Sequence, residues 1–302
     1  MVQTKNKAML PTNDYVFKRI FGYKGKEMIT KRFIEAITQY KIEKISLEKS
    51  TILEKDLSDD KIGILDVRAV LNGNIQCDIE MQMVNKDNIE ERLLFYWSKL
   101  FGKTIKQGEE YSGLNKTIVI MIADFELEKL KTIPKFHTEF KIREKDFSQI
   151  ILTDVLEIHI IELSKIVEKI KQNTLDKKDE LSIWTMFLIN PASIGGKEMS
   201  KNKELQEAKK VYNEIQQSER EQELAEMRMK YIMDQKATER YGFKQGVQEG
   251  IRQGIRQGVQ QGREEGTIEE RKRIAKQMRE KGIDVKAISK ITKLKIEEIE
   301  KI

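Results

Sequence analysis

A chain of 302 residues can bury a core of about 100 to 200 residues and still carry a further element. Its 39% hydrophobic and 35% charged residues exclude wholesale disorder, and a net charge of +6 suits polyanion binding and plain solubility equally. One cysteine, Cys77, excludes an internal disulfide, and two histidines, His137 and His159, are too few for a Cys/His zinc site, so any metal is expected on oxygen ligands.

In chain order, Val16, Phe17, Ile20 and Phe21, then Ile29, Phe33, Ile34 and Ile37, recur at helical spacing over residues 14–40. Asn13 or Asp14 can cap the first helix and Gly22 can end it. From Lys44 to Met83 the pattern changes to short alternating runs, which predicts strands. A further amphipathic helix is expected over about Ile89–Gln107, with Leu93, Tyr96, Trp97 and Leu100 on one stripe. The run Thr117–Ala123 (TIVIMIA) reads as a strand buried on both faces, and Gln149–Leu163 as another strand. Helix, strands, helix and strand in this order imply an α/β domain over residues 1–195.

Residues 196–241 read as a charged linker, a long exposed helix carrying Leu205, Ala208, Tyr212 and Ile215. Glycine then recurs every fourth residue, from Gly242 to Gly266, beside the apolar row Val247, Ile251, Ile255 and Val259. Each glycine costs about 1 kcal/mol in a helix relative to alanine, a cost that close packing on a partner helix offsets. Residues 242–266 are therefore expected to form a homo-oligomeric helix, not a flexible linker. Residues 267–302 show three short helical patterns. A helix-turn-helix would read DNA, but Glu297, Glu298 and Glu300 on the last helix repel phosphates, so a small protein-packing tail is expected. No apolar run reaches the roughly 18 residues that span a bilayer, and the N-terminal residues lack an apolar signal stretch, so a cytoplasmic protein without membrane partners is expected.

The segment Ile62–Val84 carries the chemistry. It reads as two strands around Asn72-Gly73-Asn74, and side-chain character selects the register, because a one-residue slip moves a strand's whole set to the other face. A two-residue Asn-Gly turn mixes polar and apolar residues on both faces. A three-residue loop, with Gly73 or Asn74 left-handed, pairs Leu71 with Ile75 and makes one face apolar through Ala69/Cys77, Val67/Ile79 and Leu65/Met81. The other face then carries Arg68/Asp78, Asp66/Glu80 and Ile64/Gln82. Opposed carboxylates about 5 Å apart destabilise a sheet unless neutralised. A divalent cation such as Mg²⁺ would neutralise the Asp66/Glu80 pair and could activate a water against a phosphodiester; a solvated network with Arg68 is the alternative.

The segments NDYVFKRIFG (13–22), ILDVRA, DIEMQ, ERLLFYWSKLFG (91–102), GEEYSGLNKTIVIMIADF (108–125) and TDVLEIHIIEL (153–163) occur in this order over about residues 10–165. Together they resemble the recombination-promoting nuclease and putative transposase family, whose members carry a PD-(D/E)XK (restriction-endonuclease-like) core, a mixed sheet flanked by helices. The resemblance implies a Mg²⁺-dependent DNA endonuclease that promotes recombination, with Asp66 and Glu80 as metal ligands and the Met81 carbonyl as a third. Gln82 stands where the motif has lysine. An amide can orient a water but cannot supply the lysine's charge, so a cation from elsewhere is the alternative, with Arg92 and Lys99 as candidates. Asp14 and Lys18 match the family's N-terminal segment, and Arg68 is a supporting residue. A catalytically weak scaffold for DNA binding or assembly is the competing expectation. Tyr96 and Trp97 are expected in the core, and His159 as a hydrogen-bonded structural histidine.

Overall fold

The computed structural model describes residues 9–48, 67–85, 88–196 and 202–302. Two compact units divide the chain, the first ending at Gln235 and the second beginning at Lys236.

The first unit opens with α1 (Asp14–Phe21). Asn13 caps it, its side chain accepting from the Tyr15 amide, and Gly22 ends it by donating its N–H to the Lys18 carbonyl. Gly22 is needed for space, because a Cβ there would meet Lys18 Cγ at 3.0 Å and Val67 Cγ2 at 3.2 Å. Helix α2 (Glu27–Thr38) follows, then strands β1 (Ile45–Leu47), β2 (Val67–Leu71) and β3 (Ile75–Gln82). Next come α3 (Ile89–Gly102), β4 (Thr117–Ala123), β5 (His137–Phe140), β6 (Leu156–Glu162), α4 (Leu163–Lys171), α5 (Glu180–Ile189) and α6 (Lys203–Gln217). The first turns of α7 (Glu219–Glu280) complete the unit.

The six strands form one mixed sheet in the order β1-β2-β3-β4-β6-β5, with β3, β4 and β6 parallel. The register puts Leu71 opposite Ile75, Ala69 opposite Cys77 and Val67 opposite Ile79, as the apolar face demands. In the three-residue loop it is Asn72 (φ 51°) and Gly73 (φ 88°) that are left-handed, not Asn74. The Asn72 Oδ1 accepts from the Glu43 and Lys44 amides, tying the hairpin tip to the lead-in of β1. The expected pairs through Leu65, Ile64 and Asp66 lie outside the described residues.

Alternation splits the sheet into two faces. One carries Val67, Ala69, Leu71, Cys77, Ile79, Met81, Ile118, Ile120 and Ile122, and packs on α1, α2, α5 and α6. The other carries Val119, Met121, Ala123, Ile158 and Ile160, against Ile89 and Leu93 of α3. The result is an α/β/α sandwich with β4 and β6 buried on both faces.

Three expectations need correction. Leu205, Ala208 and Ile215 are fully buried, so α6 is a core helix and not an exposed one. Its dense charges occupy only the outer face. The strand expected over Gln149–Leu163 begins at Leu156, and Ile151 makes only an isolated bridge to Arg143. The helical repeat is longer than expected: α7 runs unbroken through the glycines and onward to Glu280.

In the second unit the end of α7 packs with α8 (Val285–Thr292) and α9 (Ile296–Glu300) around Ala275, Ile288, Leu294 and Ile299. Asp284 caps α8, and Arg279 donates to the Ile299 and Glu300 carbonyls at the end of α9. Among the described residues no helix is long and apolar enough to cross a membrane.

Candidate active site at the end of strand β3

Parallel strands direct their carboxyl ends to one edge of the sheet, where open α/β folds place their chemistry. Asp78, Glu80 and Gln82 alternate on β3 toward that edge, on the face that α3 covers. Asp78 and Glu80 are both buried. Such burial stands only if the charges are compensated.

Two donors meet one oxygen of Glu80. Gln82 Nε2 hydrogen-bonds Glu80 Oε1, and Arg92 Nη2, from the first turn of α3, reaches the same atom at 3.3 Å. Arg92 Nη1 is buried without a hydrogen-bond partner among the described residues, so a donor remains available beside the carboxylate. Asp78 faces Arg68 across the hairpin, Oδ1 to Nε at 3.6 Å. Burial pushes the Asp78 carboxyl above the ordinary range; the Arg68 charge opposes this and the Glu80 charge adds to it. The donor set is carboxylate and amide oxygen, which suits a hard divalent cation.

Of the other sequence-predicted residues, Asp66 lies outside the described residues. Met81 points its side chain to the opposite face, leaving only its carbonyl as a ligand. Lys18 is buried on α1, one turn before the close approach of Gly22 to Val67, the residue that follows Asp66 in the chain. Asp14 is held by Arg228 of α7, which donates from Nε at 2.9 and 2.8 Å and from Nη2 at 2.5 Å. Asp14 thus anchors α7 to the core. Lys99 is exposed on α3, its ammonium 4.9 Å from the centroid of the Phe95 ring. Trp97 is half-buried, donating its Nε1 proton to the Thr117 carbonyl and stacking on Phe101.

Two residues escaped sequence reasoning. Arg228 gave no signal, because nothing local links it to a partner 214 positions away. Asp78 was legible as the cross-strand partner of Arg68, but not as a buried carboxyl beside Glu80.

A second polar cluster lies on the opposite face. His159 Nδ1 meets His137 Nε2 at 2.9 Å, and its Nε2 meets Glu157 Oε1 at 2.8 Å. Glu157 Oε2 also accepts from Tyr40 at 2.5 Å and from Lys116 at 2.7 Å. Glu139, Glu157 and His159 are close enough to share a metal ion. Lys116 and Lys141 already supply the cations, however, so the cluster reads as a satisfied structural network with His159 inside it.

No curated protein and no solved structure gives a significant match to the chain. A family profile does: the one describing PD-(D/E)XK nuclease family transposases matches residues 11–242, spanning the sheet, α1–α6 and the first turns of α7. With a mixed sheet flanked by helices and a buried glutamate at the carboxyl end of β3, the chain belongs to the PD-(D/E)XK nuclease family transposases.

Proposed function

We propose that the protein is a divalent-metal-dependent DNA endonuclease whose site is built on Glu80 and Asp66, with the Met81 carbonyl as a further ligand. The observation that carries the reading is the convergence of Gln82 and Arg92 on the buried Glu80 carboxylate at the carboxyl edge of a family-matched sheet. Continuing the β2/β3 register by one residue would set Asp66 opposite Glu80, with Lys18 near the start of β2 as a neighbouring positive charge. Mg²⁺ held there supplies electrostatic stabilisation of a phosphate's developing charge.

The chain's own residues supply the rest. Gln82, with an N–H committed to Glu80, keeps an amide oxygen that can accept a hydrogen bond from water and so orient it. It cannot supply positive charge. Arg92 can: its guanidinium is permanently charged, and its Nη1, without a hydrogen-bond partner among the described residues, is a donor for a phosphate oxygen. Arg92 therefore does the electrostatic part of the motif lysine's work, and Gln82 the orienting part.

Full-length protein should nick or cut plasmid with Mg²⁺, while Asp66→Ala and Glu80→Ala each lower the rate by about 100-fold or more. Cutting at the wild-type rate by either variant removes the site assignment. A second reading, a weakly catalytic scaffold for DNA binding or assembly, is favoured by the amide at position 82 and by the exposed apolar row of α7. DNA binding without cleavage in any divalent ion would select it.

A further inference from the structure

Helix α3 covers the candidate site with one face and leaves the other open. Ile89 and Leu93 are buried against the sheet, and Leu100 is buried as well. On the open side Arg92, Phe95, Tyr96 and Lys99 fall at spacings of three and four, which places them along one stripe. Phe95 is 54% exposed, although an aromatic ring that size normally gains from burial.

The stripe is organised in cation–aromatic pairs. The Arg92 guanidinium lies 5.7 Å from the Tyr96 ring centroid and the Lys99 ammonium 4.9 Å from that of Phe95, while the two rings are 5.9 Å apart. Lys103 extends the positive character beyond the helix end, and of the two acids in the first turn Glu90 is paired with Lys129. The stripe is also continuous with the site, because the Arg92 that begins it touches Glu80 at 3.3 Å.

Phosphates need cations, and bases stack on aromatic faces only when they are out of a duplex. We infer that the open stripe of α3 is a docking track for an unpaired DNA strand, with Phe95 and Tyr96 stacking bases and Arg92, Lys99 and Lys103 meeting phosphates. The substrate is then DNA with unpaired bases, as in a single strand, flap or bubble. A second copy of the chain is a poorer occupant, since docking stripe on stripe would oppose like charges. The inference rests on Glu80 marking the scissile end of the track.

The test uses the full chain with the metal chelated, so that binding is read without cutting. Fluorescence anisotropy compares a labelled thymidine oligonucleotide with a duplex of the same length at one salt concentration. The oligonucleotide should bind more tightly. Phe95→Ala should weaken it on the order of ten-fold while changing duplex binding less than about two-fold, and Phe95→Trp should restore it. Because Phe95 is exposed, neither change disturbs the core. Equal affinity for duplex and oligonucleotide overturns the inference, as does an equal effect of Phe95→Ala on both. So does a change in molecular mass by light scattering with Phe95→Ala, which would mean that a second copy covers the stripe. The two proposals fail separately. Binding through Phe95 without cutting in Mg²⁺ leaves the track and removes hydrolysis, whereas Glu80-dependent cutting unaffected by Phe95→Ala removes the track alone.

Discussion

Gln82 and Arg92 both donate to one oxygen of the buried Glu80 carboxyl. Arg92→Ala should therefore lower cleavage on the order of 100-fold, as the loss of a preorganised donor to a developing anion typically does. Arg92→Lys should recover part of that rate, since charge returns without the planar fork. On the other face, burial and the neighbouring His159 hold the His137 pKa down at about 4, with Lys135 lowering it further and Glu139 and Asp179 opposing. His137 is thus neutral in the fold and takes up a proton more readily when unfolded, so stability is full above about pH 6.5 and is lost as pH falls toward 4. Glu157, held down at about 2 by His159, Lys116 and Tyr40 against its burial, acts in the same sense at lower pH, losing its contribution below its ordinary range. Asp78, whose carboxyl burial raises to about 7, acts in the opposite sense over the same window, so the His137 contribution is read as a difference: between pH 7 and 4 the wild-type melting temperature should lose ground to that of His137→Gln.

The first turns of α7 are fastened to α1 by polar contacts of high sequence separation. Asn13 donates to the Ala225 carbonyl, Tyr15 and Arg19 both bond Glu221, and Asp14 is gripped by Arg228. Met229 and Ile232 pack on Met83 and Val84, the residues that follow Gln82. The helix therefore braces both α1 and the chain leaving strand β3. Because the Asp14–Arg228 pair is buried, Arg228→Ala should destabilise the first unit by about 3–5 kcal/mol in urea denaturation, leaving an uncompensated carboxylate. Replacing both partners with Leu and Met should cost much less. Equal losses in the single and double variants would mean that the pair acts through packing alone.

In the second unit, the glycine stretch of α7 has no internal reason to be glycine. Among the described residues a Cβ at Gly250, Gly254 or Gly258 would meet nothing within 4 Å, and Val247, Ile251, Ile255 and Val259 are all exposed. We propose that a second copy covers this row. A period of four exceeds the 3.6 residues of a helical turn, so the row winds by about 40° per repeat, and helices following it would cross with a right-handed twist. Alanine at Gly250, Gly254 and Gly258 should stabilise an isolated helix by about 1 kcal/mol each yet weaken the oligomer by blocking close approach. Light scattering should show the same loss of mass as deletion of residues 241–302, and a monomeric wild-type chain would end the proposal.

The sequence by itself determined whatever depends on short-range pattern. The β2/β3 register followed from period-two alternation, the doubly buried β4 from an unbroken apolar run, and the capping of α1 from Asn13, because each is set by neighbours a few positions away. The order of family segments carried the fold class. Only the tertiary structure settled what distant segments do to one another. It put β5 at the sheet edge, a four-residue strand with no periodicity of its own, and buried α6, whose charges had suggested exposure. It also matched Arg228 with Asp14 and brought Arg92 to Glu80. Arg92 and Lys99 were both legible as candidate cations, but the choice between them was not: a helix pattern states which face is apolar, not which carboxylate its charged face will meet.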